Sequence, residues 1–204
     1  MHDPDFQADL ARYPRRPFLR EQSIWAIWVY RFGRRMDQRA PGMVRWIGGR
    51  FYWAAFRITE TLTGISLPKT AVIGPGLRIW HFGNVFVHSD ARIGARCTLR
   101  QGVTIGNRVT DGPVPVLEDD VELGAYAQVL GGVRVGQGAR IGAMSLVLSD
   151  VPAHATAVGI PARVVGEKPV LQPTPDAANP PPTGGAKSPA VDGKLPAANA
   201  DSGP

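Results

Sequence analysis

The side chains of this chain that are best suited to proton transfer or nucleophilic attack are four histidines and one cysteine. They are His2, His81, His88, His154 and Cys97. An imidazole exchanges a proton near neutral pH, so a positioned histidine can take the proton of a hydroxyl group as that group attacks a carbonyl carbon. A single cysteine allows no disulfide within the chain and no cysteine-based zinc motif. The composition therefore favours base catalysis by histidine. The sequence around each histidine indicates which of the four is the candidate base.

A six-residue repeat surrounds His81 and His88 and runs through the middle of the chain. A large aliphatic residue is followed four positions later by a smaller residue, as at Ile93 and Cys97, Leu99 and Val103, and Leu123 and Ala127. A period of six fits neither an amphipathic helix nor strands joined by hairpins. It predicts a triangular coil in which each hexad forms one short strand and one corner, and stacked rungs bury a continuous aliphatic column. Cys97 is then a small interior residue and not a reactive thiol.

The repeat is interrupted around His81. Hexads begin at Ile73 and Ile79, but the next begins at Val87, so two additional residues lie between them. In the hexad that begins at Ile79, the smaller residue four positions later is Gly83, so the repeat assigns Gly83 to the interior. A regular pattern that is broken at one rung indicates a local function, and we expect His81 there on the outer surface of the coil.

A second irregularity lies at residues 106–116. The hexad spacing is kept, but Asp111 stands where an aliphatic residue belongs, and Gly112 and Pro113 follow it. This composition predicts a loop that leaves the coil. The repeat assigns Val109, four positions after Ile105, to the interior.

The segments before and after the repeat have different compositions. Residues 1–65 carry two stretches with helical spacing, one with Trp25 and Trp28, the other with Trp46 and Trp53. The net charge is +6, and residues 1–60 supply most of it with eleven arginines against six acids. Such Trp- and Arg-rich helices fit packing on a neighbouring domain or subunit, and membrane-surface contact is the alternative. We see no nucleic-acid motif and expect no nucleic-acid partner.

Two further features bear on location and order. Residues 169–204 contain nine of the nineteen prolines and no aromatic residue, so we predict a disordered tail. The first residues carry acids and lack an apolar core, so they do not form a secretory signal, and no apolar run approaches the roughly 20 residues of a membrane span. We therefore expect a cytoplasmic protein, with the inner face of the membrane as a further location.

The repeat and the closing segment VPAHATAVGIPARVVG at 151–166 resemble the hexapeptide acyltransferase superfamily. Within it, the chain is similar to serine acetyltransferases and their relatives in polysaccharide gene clusters. The resemblance implies a mainly β fold, with a left-handed parallel β-helix over residues 66–168 between an N-terminal helical segment (1–65) and the tail (169–204). It also implies acetyl-CoA as co-substrate, no metal, and a homotrimer with active sites between subunits.

The resemblance also assigns roles to residues. The motif Trp80-His81-Phe82-Gly83-Asn84 takes the place of Asp-His-Ala-Thr-Gly in serine acetyltransferases, which makes His81 the general base. The residues expected at the acceptor are Trp80, Phe82, Asn84, His88 and Asp111. Those expected at CoA are Gly106, Ala125 and Ala143 along the arm, and Arg140, Arg163 and Lys168 at the phosphates.

Three departures from the family concern the acceptor. Trp80 replaces the aspartate before the histidine, Ser66 replaces an aspartate fifteen residues earlier, and Asp111-Gly112-Pro113 replaces an Arg-His-Pro element. Because aromatic rings beside the base suit a sugar, we predict a sugar hydroxyl of an exopolysaccharide or its lipid-linked precursor, with L-serine as the alternative. A non-catalytic scaffold subunit is the alternative of another class. A γ-class carbonic anhydrase site is disfavoured, because only His81 and His88 lie close together in the repeat.

Overall fold

A computed structural model describes residues 3–39 and 41–165, so the tail predicted to be disordered and Lys168 lie outside the described residues. The N-terminal part is helical, as predicted. Its helices are α1 (Pro4–Leu10), α2 (Pro17–Arg20), α3 (Ser23–Arg39) and α4 (Gly42–Thr63). Asp3 caps α1 by accepting hydrogen bonds from the N–H groups of Asp5 and Phe6. In the described part of the chain, no helix is long and apolar enough to cross a membrane.

The repeat forms a parallel β-solenoid of about five turns with three sheets. Sheet A contains β1 (Ile65–Ser66), β4 (Val85–Val87), β7 (Thr104–Gly106), β10 (Gln128–Leu130) and β13 (Leu146–Val147). Sheet B contains β2 (Val72–Ile73), β5 (Arg92–Ile93), β8 (Val116–Leu117) and β11 (Arg134–Val135). Sheet C contains β3 (Arg78–Trp80), β6 (Thr98–Arg100), β9 (Glu122–Leu123), β12 (Arg140–Ile141), β14 (Thr156–Gly159) and β15 (Ala162–Val165). The chain visits the sheets in the order A, B, C, and β15 closes the solenoid by pairing antiparallel with β14.

The interior of the solenoid follows the repeat except at the two irregular places. Leu99, Leu123 and Cys97 are fully buried, as the pattern predicts. The assignment of Gly83 to the interior is wrong, because the two additional residues shift the register and Val85 fills that place instead. The assignment of Val109 is wrong as well. It is 66% exposed in the loop between β7 and β8, and Pro115 is the buried residue that re-enters the coil.

The N-terminal segment covers the first rung of the solenoid with side chains that hydrogen-bond to exposed strand edges. The Tyr30 hydroxyl accepts from the N–H of Ile73 and donates to the carbonyl of Ala71, both at 3.0 Å. At sheet C, the Ser23 hydroxyl donates to the carbonyl of Ile79 at 2.9 Å. An uncovered edge would leave buried backbone groups unpaired and invite pairing with other chains. These side chains therefore provide the hydrogen-bond partners that a preceding rung of the solenoid would otherwise provide.

A buried ion pair fastens the same junction. Arg31, on α3, donates to both carboxylate oxygens of Asp9 at 2.8 and 3.0 Å, and both residues are almost fully buried. Arg31 also donates to the carbonyls of Ile73 and Gly74, and the N–H of Leu77 donates to Asp9 at 2.8 Å. Because every charge has several partners, the pair tolerates burial and holds α1 and α3 on the solenoid.

Candidate functional site

The loop at residues 80–84, between β3 and β4, presents the predicted base. His81 has a left-handed backbone with φ of 64°, and Gly83 and Asn84 follow with φ of 102° and 54°. His81 and Asn84 are exposed, and the rings of Trp80 and Phe82 are 43% and 50% exposed. Left-handed residues also stand at other corners of the solenoid, such as Tyr126 and Met144, so this backbone is the geometry of a corner. The two additional residues of this rung therefore place an exposed histidine, with an aromatic residue on either side of it in the sequence, at the corner from sheet C to sheet A.

Trp80 is held by a stack of side chains beneath it. The guanidinium carbon of Arg78 lies 4.2 Å from the Trp80 ring centroid and 3.8 Å from that of Tyr13. Arg78 is buried and donates to the Glu21 carboxylate at 3.1 Å. The N-terminal segment thus fixes one face of the indole next to His81, although nothing in the sequence linked Tyr13 or Glu21 to the site.

A column of corner residues leads away from His81 along the solenoid. The strand register pairs Trp80 with Arg100, Leu99 with Leu123, and Leu123 with Ile141. Extended to the adjacent corner, it places His81, Gln101, Ala125 and Ala143 at equivalent positions on successive rungs. Three rung spacings span about 14 Å. Because Ala125 and Ala143 are small, this corner has room for an extended arm ending at His81.

Two polar groups near the foot of this column were missed by the sequence reasoning. Arg100 is exposed and lies directly beside Trp80 on the neighbouring strand. The side-chain oxygen of Gln101 is buried and accepts no hydrogen bond from any described residue. Arg100 follows Trp80 by twenty positions, and Gln101 follows His81 by the same interval, which is one rung here. A search of the sequence at that interval would have identified both residues.

His88, Gly106 and Asp111 lie at the other end of sheet A. The register places His88 beside Gly106, and the His88 N–H donates to the carbonyl of Ile105 at 2.8 Å. The Nδ1 atom of His88 accepts from the N–H of Asp90 at 3.2 Å. Asp111 is exposed in the loop that follows Gly106. One chain therefore does not bring these three residues together with His81, since the width of sheet A lies between the two groups.

The candidate cations for phosphate groups are separate from one another. Arg140 lies on the outer face of β12, exposed, with its Nε atom 3.7 Å from the Glu122 carboxylate. Arg163 lies on β15 and donates to the carbonyl of Ala162 at 3.2 Å. Neither is held in a network of ion pairs among the described residues. Both remain able to reorient towards an anion.

Cys97 and His154 do not contribute to this site, and His2 lies outside the described residues. The Cys97 thiol is buried and lies 3.2 Å from the carbonyl of Glu118, and burial raises its pKa to about 11. Its thiolate is therefore unavailable as a nucleophile near neutral pH. His154 lies in a turn on the last rung, where its ring lies over Gly138. Among residues 3–39 and 41–165, no three His, Cys, Asp or Glu side chains are grouped as metal ligands would be.

Comparison with known proteins places these features in a family. Residues 115–149 match the family "Bacterial transferase hexapeptide (six repeats)", and residues 87–110 match "Hexapeptide repeat of succinyl-transferase". The chain is 36% identical to the serine acetyltransferase of Synechococcus elongatus over 142 aligned residues. The aligned region covers 69% of this chain and 52% of that protein. The chain therefore spans about half the length of that curated relative.

Solved structures show the same similarity. A serine acetyltransferase in complex with CoA is 31% identical, with a TM-score of 0.65 over 79% of this chain and 66% of that one. The serine acetyltransferase of Neisseria gonorrhoeae in complex with serine is 29% identical, with a TM-score of 0.66 over 79% of this chain and 67% of that one.

Proposed function

This chain belongs to the hexapeptide-repeat acyltransferase superfamily, and we propose that it transfers an acetyl group from acetyl-CoA to a hydroxyl group, with His81 as general base. The observation that carries the proposal is the exposed imidazole of His81 at the foot of a corner column that continues through Ala125 and Ala143. A scaffold without catalysis would not need an accessible histidine at the foot of such a column.

The chemistry requires one proton acceptor and one good leaving group. The acceptor oxygen attacks the thioester carbonyl carbon while the His81 imidazole takes the hydroxyl proton. The tetrahedral intermediate then collapses, the carbon–sulfur bond breaks, and the imidazolium returns the proton to the CoA sulfur. The products are an acetyl ester and free CoA. No covalent enzyme intermediate is needed, and the buried Cys97 takes no part.

CoA would lie along the corner column, with Ala125 and Ala143 under its pantetheine arm and Arg140 and Arg163 towards its phosphates. The complex of a related serine acetyltransferase with CoA supports this ligand. We propose that the chain forms a homotrimer, so that His88, Gly106 and Asp111 of one subunit face the His81 corner of the next. Exposed apolar side chains on the solenoid, including Phe86 and Met144, would be covered by such contacts.

L-Serine is our first candidate for the acceptor. Serine acetyltransferases are among the relatives found by both sequence and structure, and one of them is seen with serine. Arg100 beside Trp80 offers a cation for the amino-acid carboxylate. The comparisons thus reverse the order predicted from the sequence, which placed a sugar first.

A sugar hydroxyl is the second candidate, and one observation favours it. Trp80 and Phe82 flank His81 with half-exposed rings, and Arg78 fixes the indole from below. Ser66, paired with Phe86 in sheet A, brings no carboxylate to the site. An exopolysaccharide or lipid-linked saccharide would then be the substrate. A protein at the inner face of the membrane, held there by its N-terminal helices, would meet such a substrate.

Release of CoA thiol from acetyl-CoA, measured with L-serine and with a panel of sugars and nucleotide sugars, tests the proposal. The decisive variants are His81→Asn and His154→Asn, because both histidines have left-handed backbones with φ of 64° and 60°, which asparagine tolerates. We expect His81→Asn to lower kcat by roughly 10²–10⁴-fold and His154→Asn to leave it unchanged. Equal turnover by both variants would exclude His81 as the base. Failure of the wild type to bind CoA would favour a scaffold.

A further inference from the structure

Helix α4 carries an apolar face that is mostly exposed in the described part of the chain, with Phe51 packing edge-to-face on Phe32 of α3 at a centroid distance of 5.5 Å. This face consists of Met43, Ile47, Phe51, Ala54, Ile58 and Leu62. The spacing of three and four residues keeps these side chains on one side of the helix, and the five larger ones are all more than half exposed. A helix of this length extends about 33 Å. A continuous apolar surface of that size on a folded protein indicates a binding partner.

The opposite side of α4 fixes the helix to the rest of the N-terminal segment. Gly48 lies against Met36 on α3, and Gly33 lies against the ring of Tyr52 so closely that neither glycine could carry a side chain without displacing its neighbour. The hydroxyl of Tyr52 accepts from the N–H of Lys69 at 2.9 Å. Because this side is packed, α4 cannot rotate to bury its apolar face within the described part of the chain.

A row of tryptophans and arginines borders the apolar face along one flank. This Trp–Arg row consists of Trp46, Arg50, Trp53 and Arg57. Both indoles are more than 60% exposed, with Arg50 5.2 Å from the Trp46 centroid and Arg57 5.9 Å from that of Trp53. Indole rings and long basic side chains next to an apolar surface are typical of the lipid headgroup region.

The charge along α4 selects the kind of partner. The helix contains three arginines and one acid, Glu60, which pairs with Arg57 at 3.1 Å. Beside the row lies an open groove of about 660 Å³ lined by Arg45, Arg50, Lys69 and both indoles. Its only lining carboxylate, Asp37, is bound to Lys69 at 2.8 Å. Among the described residues, neither Arg45 nor Arg50 pairs with a carboxylate, so the groove offers cations to an external anion.

We propose that the apolar face and the Trp–Arg row of α4 together form a surface that lies in the interface of a bilayer containing anionic lipid. A second copy of the chain fits the surface less well. Two apolar faces packed by a two-fold axis would bring two rows of the same sign to one interface, with no free carboxylate on α4 to neutralise them. A bilayer satisfies both parts, because acyl chains receive the apolar face and anionic headgroups receive the arginines.

This inference deepens the membrane contact included in the proposed function, but its test does not require acetyl transfer. The full chain would be floated with vesicles of phosphatidylcholine alone and with about one third phosphatidylglycerol added. The variant Ile47→Gln/Ile58→Gln changes the apolar face, and Arg45→Gln/Arg50→Gln changes the groove. Val72→Thr and Arg92→Gln are matched controls, since both side chains are exposed on sheet B and belong neither to the apolar face nor to the groove.

We expect binding to phosphatidylglycerol vesicles that weakens with salt. Each isoleucine substitution should reduce the partition coefficient by about tenfold, and each arginine substitution by about fivefold. The control variants and His81→Asn should bind as the wild type does, so a failed base assignment would leave vesicle binding intact. The proposal is overturned if the wild type does not float with anionic vesicles. It is also overturned if the isoleucine variant floats as well as the wild type does. The same holds if the isoleucine substitutions only break up an assembly of several copies of the chain, and that assembly does not bind lipid.

Discussion

The substitution Tyr30→Phe tests whether the N-terminal segment acts as the missing rung of the solenoid. The Tyr30 hydroxyl is the partner of the Ile73 N–H and of the Ala71 carbonyl, each at 3.0 Å, and all three residues are buried. Removing the oxygen leaves two buried backbone groups without partners while the ring and its packing remain. A buried unsatisfied group costs about 1–3 kcal/mol, so we expect the loss of two partners to lower the free energy of unfolding by about 2–6 kcal/mol. The midpoint of thermal unfolding should fall by about 4–24 °C.

The matched control is Tyr126→Phe, because the Tyr126 side chain is 47% exposed at a corner of the same solenoid. Its unfolding free energy should stay within about 0.5 kcal/mol of the wild type. Both variants would be unfolded in urea at one protein concentration, so that any contribution from subunit assembly is shared. Amide exchange gives a local readout, since Ile73 should lose protection in Tyr30→Phe while Val129, in the middle of sheet A, should keep it. If Tyr30→Phe matched Tyr126→Phe in both measurements, the hydroxyl would not close the edge of the first rung.

Two further predictions concern the helical segment and the interior. Gly49 has open space around its α carbon, so Gly49→Ala should raise the free energy of unfolding in urea by about 1 kcal/mol. In Gly48→Ala the new methyl group would lie 2.7 Å from the Met36 sulfur, so this variant should show little of that stabilisation. Equal gains at both positions would contradict the packing of α3 on α4. The raised pKa of Cys97, about 11 against an ordinary 9.0, predicts no reaction with a thiol reagent at pH 8 until the protein is unfolded. The stabilisation that accompanies this raised pKa is complete below pH 9 and is lost as the pH rises towards 11. By pH 10 the wild type should therefore lose about 1 kcal/mol more of its unfolding free energy than Cys97→Ala does.

The hexad repeat made the solenoid predictable because each rung carries its own signal. A large aliphatic residue at the first position of a hexad, such as Leu99 or Leu123, points inwards on every regular rung, and this requirement does not depend on distant parts of the chain. The break in register that singles out His81 is also local. The same reasoning failed at Gly83 and Val109, because a count of six cannot tell where an insertion leaves the coil and where the chain returns.

The tertiary structure alone decided how the site is assembled and what covers the first rung. Residues that share a corner recur about twenty positions apart, and insertions change that interval. Register therefore had to be known before Arg100 and Gln101 could be placed beside the His81 loop, or His88 and Asp111 at the far end of sheet A. The contacts of Tyr30 and Arg31 with the first rung join residues more than forty positions apart. Helical spacing indicated that these side chains lie on a helix. It carries no information about which strand edge has unpaired backbone N–H and C=O groups, because that depends on where the stack of rungs begins.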